Sequence, residues 1–215
     1  MNPVTTSVLS RPDAVNVAHV VERCRVLGPG ERFAVWVQGC PLRCPGCHNP
    51  SFQPFVDNAW IPVDDLADLA LATSGIEGVT YVGGEPFSQA RALAVLSRRV
   101  RLAGLSVMVF SGFTLAELRS GAVPFAGDLL EAADLLMDGR YERGMPTVRP
   151  WRGSDNQRLL PLSGRYAAQV EAWNRPVGQG FELRLTADGA VEVLGIPPED
   201  LGQTETSNRK VTRDG

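Results

Sequence analysis

The sequence predicts an α/β fold in which helices cover a parallel β-sheet. From residue 33 onward, short apolar runs rich in β-branched and aromatic residues alternate with amphipathic segments. The short runs are continuously apolar, which is typical of parallel strands that are buried on both faces. An alternating segment near the C-terminus, residues 181 to 195, additionally predicts a β-hairpin outside this repeat.

The first predicted strand is FAVWVQ, residues 33 to 38, and a loop that contains three cysteines follows it. The next segment, PVDDLADLALAT over residues 62 to 73, has its apolar residues on one helical face and its aspartates opposite. Pro62 and the early acidic residues are typical of a helix start. This stretch therefore predicts a strand, a loop and an amphipathic helix.

Three further strands are predicted by the runs GVTYV (78 to 82), LSVMVF (105 to 110) and ADLLM (133 to 137). Between the first two of these, Ser88 is expected to cap a helix that continues to about Ala103. Its apolar residues share one face and its arginines point toward water. The segment TLAELRS follows the third run and predicts a short helix.

After residue 140 the pattern weakens, and we predict a strand at RLLPL, a helix near residues 165 to 173 and a hairpin around an Asp188-Gly189 turn. The expected division of the chain has four parts: an N-terminal segment (1–30), a core domain (31–175), the hairpin (176–198) and a polar, disordered tail (199–215).

Composition excludes several classes of function. The chain has 215 residues, 44% hydrophobic content and a net charge of −3, so neither nucleic acid nor an acidic membrane surface is an expected partner. It contains no apolar run long enough to span a bilayer and no secretion signal at its start, so we expect a cytoplasmic protein. In that reducing compartment, clustered cysteines bind metal or do chemistry more often than they form disulfides.

The unusual turns all follow predicted strands. They are the cysteine loop, Gly83-Gly84-Glu85-Pro86, Ser111-Gly112 and Asp138-Gly139. Because ligands of parallel α/β folds bind at the carboxyl ends of the strands, these turns are expected to meet at one rim.

Three of the four cysteines, Cys40, Cys44 and Cys47, lie in VQGCPLRCPGCHNP. A zinc site with His48 as fourth ligand would make two adjacent residues ligands of one tetrahedral ion, an awkward arrangement. A ferredoxin-like electron carrier would need a fourth thiolate, and Cys24 is more typical of a small buried residue. The third interpretation is a cubane cluster on three thiolates, with one iron open to a ligand.

The spacing C-x3-C-x2-C, followed by GGEP after the next strand, resembles the signature of the radical S-adenosylmethionine superfamily. Four other segments are similar to segments of the family of anaerobic ribonucleotide reductase activating proteins: CPGCHN, FSGFTLAEL, MDGRYE and WRGSDNQR. They occur in matching order over roughly residues 30 to 165, which is not expected of a chance motif match. The C-terminal hairpin and tail lie outside the resemblance.

This resemblance implies a partial (β/α)6, TIM-like barrel of the radical S-adenosylmethionine type with a short C-terminal β-hairpin extension. It also implies a 4Fe-4S cluster on three cysteines, with S-adenosylmethionine bound to the open iron. The implied metal ligands are Cys40, Cys44 and Cys47. The implied residues around S-adenosylmethionine are Gly83, Gly84 and Glu85 near its amino group, Ser111 near its ribose or carboxylate, and His48 beside its nucleoside.

The implied activity is reductive cleavage of S-adenosylmethionine to a 5′-deoxyadenosyl radical, which takes hydrogen from a glycine of a partner glycyl radical enzyme. That partner would be an anaerobic ribonucleotide reductase or an enzyme of the pyruvate formate-lyase type, and flavodoxin or ferredoxin would donate the electron. Two alternatives stay open: a radical S-adenosylmethionine enzyme acting on a small molecule or peptide, and a non-enzymatic metal-stabilised binding or electron-transfer module.

Several residues have an ordinary structural interpretation beside the functional one. Asp138 lies at the family's substrate opening but is also typical of a turn or helix cap. The residues Arg152, Asn156, Gln157 and Arg158 match a motif that could grip a partner, yet an ordered surface segment would look similar. Ser111-Gly112 could be a plain turn, and His48, which replaces the family's tyrosine, could simply face solvent.

Overall fold

The computed structural model describes residues 11–185, 189 and 191–197, and it contains two β-sheets. The strands are β1 (Ala14–Cys24), β2 (Arg32–Val37), β3 (Ala59–Pro62), β4 (Gly78–Gly83), β5 (Ser106–Phe110), β6 (Leu135–Asp138), β7 (Arg158–Pro161), β8 (Phe181–Leu185) and β9 (Val191–Gly195).

Five α-helices connect or flank these strands: α1 (Val63–Ala72), α2 (Ala90–Leu102), α3 (Leu115–Arg119), α4 (Ala126–Glu131) and α5 (Val170–Trp173). Three short 3-10 helices cover Pro50–Phe52, Pro86–Gln89 and Gly164–Tyr166. Within the described part of the chain, no helix has both the length and the apolar character needed to cross a bilayer.

The larger sheet has seven strands in the order β3-β1-β2-β4-β5-β6-β7. Strands β2, β4, β5 and β6 are parallel to one another, which confirms the predicted parallel sheet of four strands. The sheet as a whole is mixed, because β1 runs antiparallel to β2 and β3, and β7 runs antiparallel to β6. The closure of this sheet into a partial barrel of six βα units stays a prediction.

Strand β1 was not predicted, because the expected N-terminal segment carried no strand assignment. Its sequence AVNVAHVVERC mixes apolar and polar residues, and its pairing with β2 shifts register between Val17 and His19 and again before Cys24. Such irregularities disrupt the alternation by which a strand is recognised in a sequence.

The two faces of the sheet are covered differently. One face, with Val35, Tyr81 and Val109, packs against α1, α2 and α4 in the largest apolar cluster. The other face, with Trp36 and Met108, contributes to two smaller clusters. Because side chains of a strand alternate between faces, the continuously apolar strands are buried on both sides.

Two predicted helices differ from the structure. The prediction that Ser88 caps a long helix is wrong: Ser88 lies inside the 3-10 helix Pro86–Gln89, and α2 begins at Ala90. The Ser88 hydroxyl is buried without a hydrogen-bond partner among the described residues. The helix expected near residues 165 to 173 is divided into the 3-10 helix Gly164–Tyr166 and α5.

The predicted C-terminal hairpin is confirmed as the antiparallel pair β8–β9, in which Leu183 is opposite Val193. The expected turn residue Asp188 and the expected tail from residue 199 lie outside the described residues. The division of the chain into four parts stays a prediction.

Candidate functional site

The turns after the parallel strands meet at one end of the sheet, as the topology predicts. The backbone N–H of Gly84 donates to the carbonyl of Val37 at 2.8 Å, which joins the turns after β2 and β4. The N–H of Ser111 donates to the carbonyl of Met137, also at 2.8 Å, which joins the ends of β5 and β6.

The cysteine loop, residues 39 to 49, is anchored at its base by backbone hydrogen bonds. Gly39 N–H donates to Phe52 O at 2.8 Å, and Cys40 N–H donates to Gln53 O at 2.9 Å. These bonds close the loop onto the 3-10 helix Pro50–Phe52, so the three cysteines lie within a segment whose two ends are joined.

A buried network of three amide side chains holds this base, and sequence reasoning missed it. Gln89 donates to the carbonyls of Asn16 (3.0 Å) and Gln38 (3.1 Å) and accepts from the N–H of Asn16 at 2.7 Å. Gln38 donates to Pro54 O at 2.7 Å on the far side of the loop. A signal was present in the sequence, since Gln38 is a polar residue placed directly between an apolar strand and the cysteine loop.

The three thiols of the loop differ in burial: Cys40 is 9% exposed, whereas Cys44 and Cys47 are half-buried. Burial, together with the charge of Glu85, raises the pKa of the Cys40 thiol to about 11. Burial also raises the pKa of Cys44. In the absence of a cation, the thiols of Cys40 and Cys44 would therefore be protonated at neutral pH.

Backbone N–H groups of the loop oppose this effect of burial. Those of Leu42 and Arg43 favour the thiolate of Cys40, and the N–H of Asn49 donates to the sulfur of Cys47 at 3.4 Å. Amide N–H groups that point at sulfur stabilise metal-bound thiolates. The donor set of three soft thiols with surrounding N–H groups fits an iron–sulfur cluster.

The turn after β4 requires glycine at both position 83 and position 84, for two different reasons. Gly83 has a φ of +100°, a conformation that L side chains rarely adopt. A Cβ on Gly84 would lie 2.4 Å from the carbonyl oxygen of Gly39. The turn can therefore pack directly against the start of the cysteine loop, and Glu85 N–H donates to Gly39 O at 2.9 Å.

The carboxyl group of Glu85 is buried beneath the rim, with only 1% of the residue exposed. It accepts hydrogen bonds from Phe87 N–H (3.0 Å), the Ser111 hydroxyl (2.9 Å) and Gly112 N–H (2.9 Å). Burial raises the pKa of Glu85 to about 7, although these donors favour the ionised form. A buried carboxylate whose pKa is raised in this way is ready to receive a cation.

Ser111 lies on the rim and is also hydrogen-bonded to Glu85. Its hydroxyl donates to Glu85 and accepts from the N–H of Phe113 at 3.0 Å. The hydroxyl therefore has partners within the chain, and its position favours orienting the carboxyl group of Glu85.

His48 contacts Tyr141 across the cavity mouth, with ring centroids 4.7 Å apart and planes tilted by 49°. The residue is exposed, yet partial desolvation of the imidazole and the charge of Arg143 lower the pKa of His48. A neutral imidazole beside the cysteines, in tilted contact with Tyr141, is compatible with contact to a nucleoside, as the resemblance implies.

Asp138 has partners of its own within the chain. It is fully buried, accepts from the N–H of Leu115 at 2.7 Å and pairs with Arg158 at 2.5 Å. Leu115 is the first residue of α3, so Asp138 satisfies a free N–H at the start of that helix. The N-cap of α3 is Thr114, so Asp138 is a long-range hydrogen-bond partner of this helix start and not its N-cap.

The RGSDNQR segment is ordered by its own polar side chains. Arg152 is buried and donates to Gln157 O at 2.9 Å, and Gln157 in turn accepts from Gly153 N–H at 2.7 Å. Asn156 donates to Arg140 O at 2.7 Å. These bonds favour the interpretation of the segment as an ordered loop.

Cys24 lies apart from the loop in an apolar cluster with Trp36 and Leu194, as expected of a small buried residue. Burial raises the pKa of its thiol to about 12.

Within the described residues, no group of three or more His, Cys, Asp or Glu side chains is arranged to hold a single metal ion.

A cavity of about 1370 Å³ opens at this rim. It is bordered by the sequence-predicted site residues, which are Cys40, Cys44, Cys47, His48, Gly83, Gly84, Glu85 and Ser111. The structure thus brings together the cysteine loop, the GGE turn and the turn after β5. It also adds residues of the C-terminal hairpin to the cavity wall, which the sequence did not indicate.

Comparison with known proteins identifies a family and several relatives. Residues 26–160 match the family model described as 4Fe-4S single cluster domain. The chain is 32% identical over 140 residues to the anaerobic ribonucleoside-triphosphate reductase-activating protein of Enterobacteria phage T4, a match that covers 62% of this chain and 86% of the relative. It is 30% identical over 145 residues to the protein of that name from Escherichia coli (strain K12), covering 61% and 89% respectively.

A second kind of relative matches over a shorter part. The chain is 34% identical over 113 residues to the pyruvate formate-lyase-activating enzyme of Listeria monocytogenes serovar 1/2a, a match that covers 49% of this chain and 43% of that relative.

Proposed function

Since this chain belongs to the 4Fe-4S single cluster domain family, we propose that it is a radical S-adenosylmethionine oxidoreductase that activates a glycyl radical enzyme. The observation that carries the proposal is that Cys40, Cys44, Cys47 and Glu85 border one cavity at the carboxyl ends of the parallel strands. Relatives named as activating proteins of two glycyl radical enzymes support the same activity.

In this proposal, the thiolates of Cys40, Cys44 and Cys47 hold the 4Fe-4S cluster. When bound, the reduced cluster supplies one electron to S-adenosylmethionine, whose cleavage generates the 5′-deoxyadenosyl radical that takes a hydrogen atom from the partner's glycine. Three cysteine ligands would leave one iron of such a cluster without a protein ligand, and S-adenosylmethionine would bind there.

Glu85 and its turn would bind the cationic end of S-adenosylmethionine. Burial raises the pKa of Glu85 by more than its hydrogen bonds and the charge of Arg140 lower it, and an ammonium group at the carboxylate would favour the ionised form. Oε1 of Glu85 already accepts two hydrogen bonds and Oε2 accepts one, so Oε2 has a further lone pair for the ammonium group. Ser111 and Gly112 N–H fix the orientation of the carboxylate, so little reorganisation is needed on binding.

The remaining cavity wall would exclude water from the reacting atoms. Trp36, Phe52 and Phe110 line the cavity on the face of the sheet opposite the large helices. A wall of apolar and aromatic side chains keeps solvent away from the reacting atoms.

The favoured partner is an anaerobic ribonucleotide reductase. The match to activating proteins of that name covers most of each relative, 86% and 89% for the two described above. The match to the pyruvate formate-lyase-activating enzyme covers 43% of that relative. Flavodoxin or ferredoxin is the proposed electron donor, and a cytoplasmic location suits four free cysteines.

The test is anaerobic reconstitution with iron and sulfide, followed by addition of dithionite, S-adenosylmethionine and anaerobic ribonucleoside-triphosphate reductase. We expect 5′-deoxyadenosine and an EPR signal of a glycyl radical on the reductase. Formation of 5′-deoxyadenosine without that signal would instead indicate a different substrate. A cluster whose EPR spectrum is unchanged by S-adenosylmethionine would refute the proposal.

A further inference from the structure

The C-terminal hairpin, β8 and β9, forms part of the wall of the cavity. Val193, Leu194 and Gly195 of β9 border the same cavity as the cysteine loop. The hairpin lies beyond residues 26–160, the part of the chain that matches the family model. This part of the cavity wall therefore lies outside the matched residues.

The segment that leads into the hairpin is attached to the loop between β6 and β7. Gly178 N–H donates to Val148 O at 2.8 Å. The side chain of Gln179 donates to Thr147 O at 2.9 Å and to Arg152 O at 2.7 Å. These bonds fix one end of the hairpin beside the last parallel strand.

The hairpin itself is attached to the opposite side of the sheet, at and beyond β1. Oε1 of Glu192 lies 2.6 Å from Nε2 of His19, a contact without hydrogen-bond geometry, and Glu182 accepts from the backbone N–H of Arg25 at 2.6 Å. The C-terminal segment therefore runs from the β6–β7 side of the molecule to the β1 side and borders the cavity between them.

The hairpin contributes little apolar surface to the core. Its polar side chains Glu182 and Glu192 face the body of the protein, whereas Leu183 and Leu185 are 57% and 79% exposed. Among the described side chains of the hairpin, only Leu194 is fully buried, at 2% exposure. A two-stranded hairpin is marginally stable without apolar packing, so this one is held mainly by Leu194 and a few polar contacts.

We propose that the C-terminal hairpin is a cover of the cavity that opens as a unit, separately from the sheet, and so controls access to the cysteine loop. Segments with few buried apolar contacts open at a lower free energy than the core. Opening breaks the contacts of Leu194, Glu192 and Glu182 and the hydrogen bond from the Arg184 side chain to the carbonyl of Arg23, and it leaves the seven-stranded sheet intact.

The role of the cover rests on the proposed function. A glycine-bearing loop of a partner protein must reach the cavity, and the closed hairpin occupies one side of the approach. The closed cover would also protect the site from solvent when no partner is bound. The hairpin would thus select a polypeptide partner able to take the place of the cover.

Hydrogen exchange measured by mass spectrometry on the full chain tests the cover. In the wild type, amides of β8 and β9 should exchange faster than those of β4. Leu194→Ala should accelerate exchange of β8 and β9 by about tenfold or more, because it removes the main apolar contact, and should leave β4 exchange unchanged. The matched control is Leu183→Ala, the same change on the outward face of the hairpin, which should accelerate exchange far less.

A second variant tests the same prediction without the cavity that Leu194→Ala creates in the protein. Glu192→Gln weakens the contact with His19 without creating a cavity, and it should also accelerate exchange of β8 and β9 alone. Its control is Glu171→Gln, which alters the exposed ion pair between Glu171 of α5 and Arg175, just beyond that helix. If the hairpin amides exchange together with β4 in the wild type and in all variants, the hairpin is part of the core and the proposal is wrong.

The consequence for access is measured as 5′-deoxyadenosine released without a partner protein. Leu194→Ala should change this rate more than Leu183→Ala does, because the site is open to solvent for a larger fraction of the time. Equal rates would overturn the access role. The exchange experiment requires neither cluster nor partner, so a failure to form a glycyl radical would contradict the proposed function and leave the cover unaffected.

Discussion

The hydroxyl of Ser111 donates to the carboxyl group of Glu85 at 2.9 Å and joins two turns that are 26 positions apart in the chain. The first turn follows β4 and the second follows β5, so the contact depends on the parallel pairing of those strands. It makes the turn after β5 a support for the acidic residue of the GGE turn.

The stability of the cluster-free chain should depend on pH through Glu85. Its pKa is about 7 in the folded chain against an ordinary value of 4.5, so the folded state binds more protons between these values. The free energy of unfolding should therefore fall as pH rises from about 4.5 to 7, by up to about 3 kcal/mol from this group.

Glu85→Gln should remove this fall, since the amide does not titrate. Urea unfolding of wild type and variant between pH 5 and pH 8, with chelator and reductant present, measures the difference. Parallel stability curves for the two proteins would show that the carboxyl group titrates normally. In the reconstituted protein, the same variant should bind S-adenosylmethionine more weakly, because the amide carries no negative charge.

Gly84→Ala should destabilise the rim by steric overlap. The added Cβ would lie 2.4 Å from the backbone oxygen of Gly39, so the turn and the cysteine loop must move apart, at a cost of about 1–3 kcal/mol. The control is Gly127→Ala in α4, where nothing lies within 4 Å of the added Cβ and stability should stay equal or rise. Thermal unfolding compares the two, and similar melting temperatures would contradict the close packing.

The buried amide network should be required for the stability of the cysteine loop. Gln89→Met preserves the approximate size of the side chain but leaves the carbonyls of Asn16 and Gln38 and the N–H of Asn16 without this partner. Each buried group left unsatisfied costs about 1–3 kcal/mol. Gln169→Met, an exposed position with no side-chain cap bond, is the control. Chemical unfolding should give a lower free energy of unfolding for Gln89→Met than for Gln169→Met. Equal values for the two variants would refute the role of the network.

The cysteines should fall into two classes when the cluster is reconstituted. Alanine at Cys40, Cys44 or Cys47 should greatly reduce bound iron and sulfide and the visible charge-transfer absorption. Alanine at Cys24, which is buried in an apolar cluster, should keep the cluster and lower only the stability of the fold. Iron and sulfide analysis with absorption spectra gives the result, and loss of the cluster from the Cys24 variant would contradict three-cysteine ligation.

The sequence was sufficient for the parallel part of the fold and for the residues that meet at its rim. Strands β2, β4, β5 and β6 were each predicted within about two residues, because continuous apolar runs buried on both faces leave a strong local pattern. The placement of the turns followed from topology alone, since the carboxyl ends of parallel strands lie together.

Other features could not be read from the sequence because long-range partners produce them. Strand β1 has register shifts and mixed polarity, and its pairing with β2 and β3 is what makes it a strand. The bond partners of Gln38 and Gln89 are separated by up to 73 positions, and no local pattern records such contacts. The hydrogen bond from Leu115 N–H, at the start of α3, to Asp138 likewise forms only when α3 packs beside the end of β6.

By itself, the sequence determined that three cysteines and a GGE turn would share one rim, because strand direction and loop order are local properties of the chain. Only the tertiary structure decided the environment of these residues: the burial that raises the pKa of Glu85, the bond from Ser111 and the hairpin that borders the cavity. Burial and hydrogen bonding depend on which distant segments pack together, and those choices reflect the free energy of the whole fold.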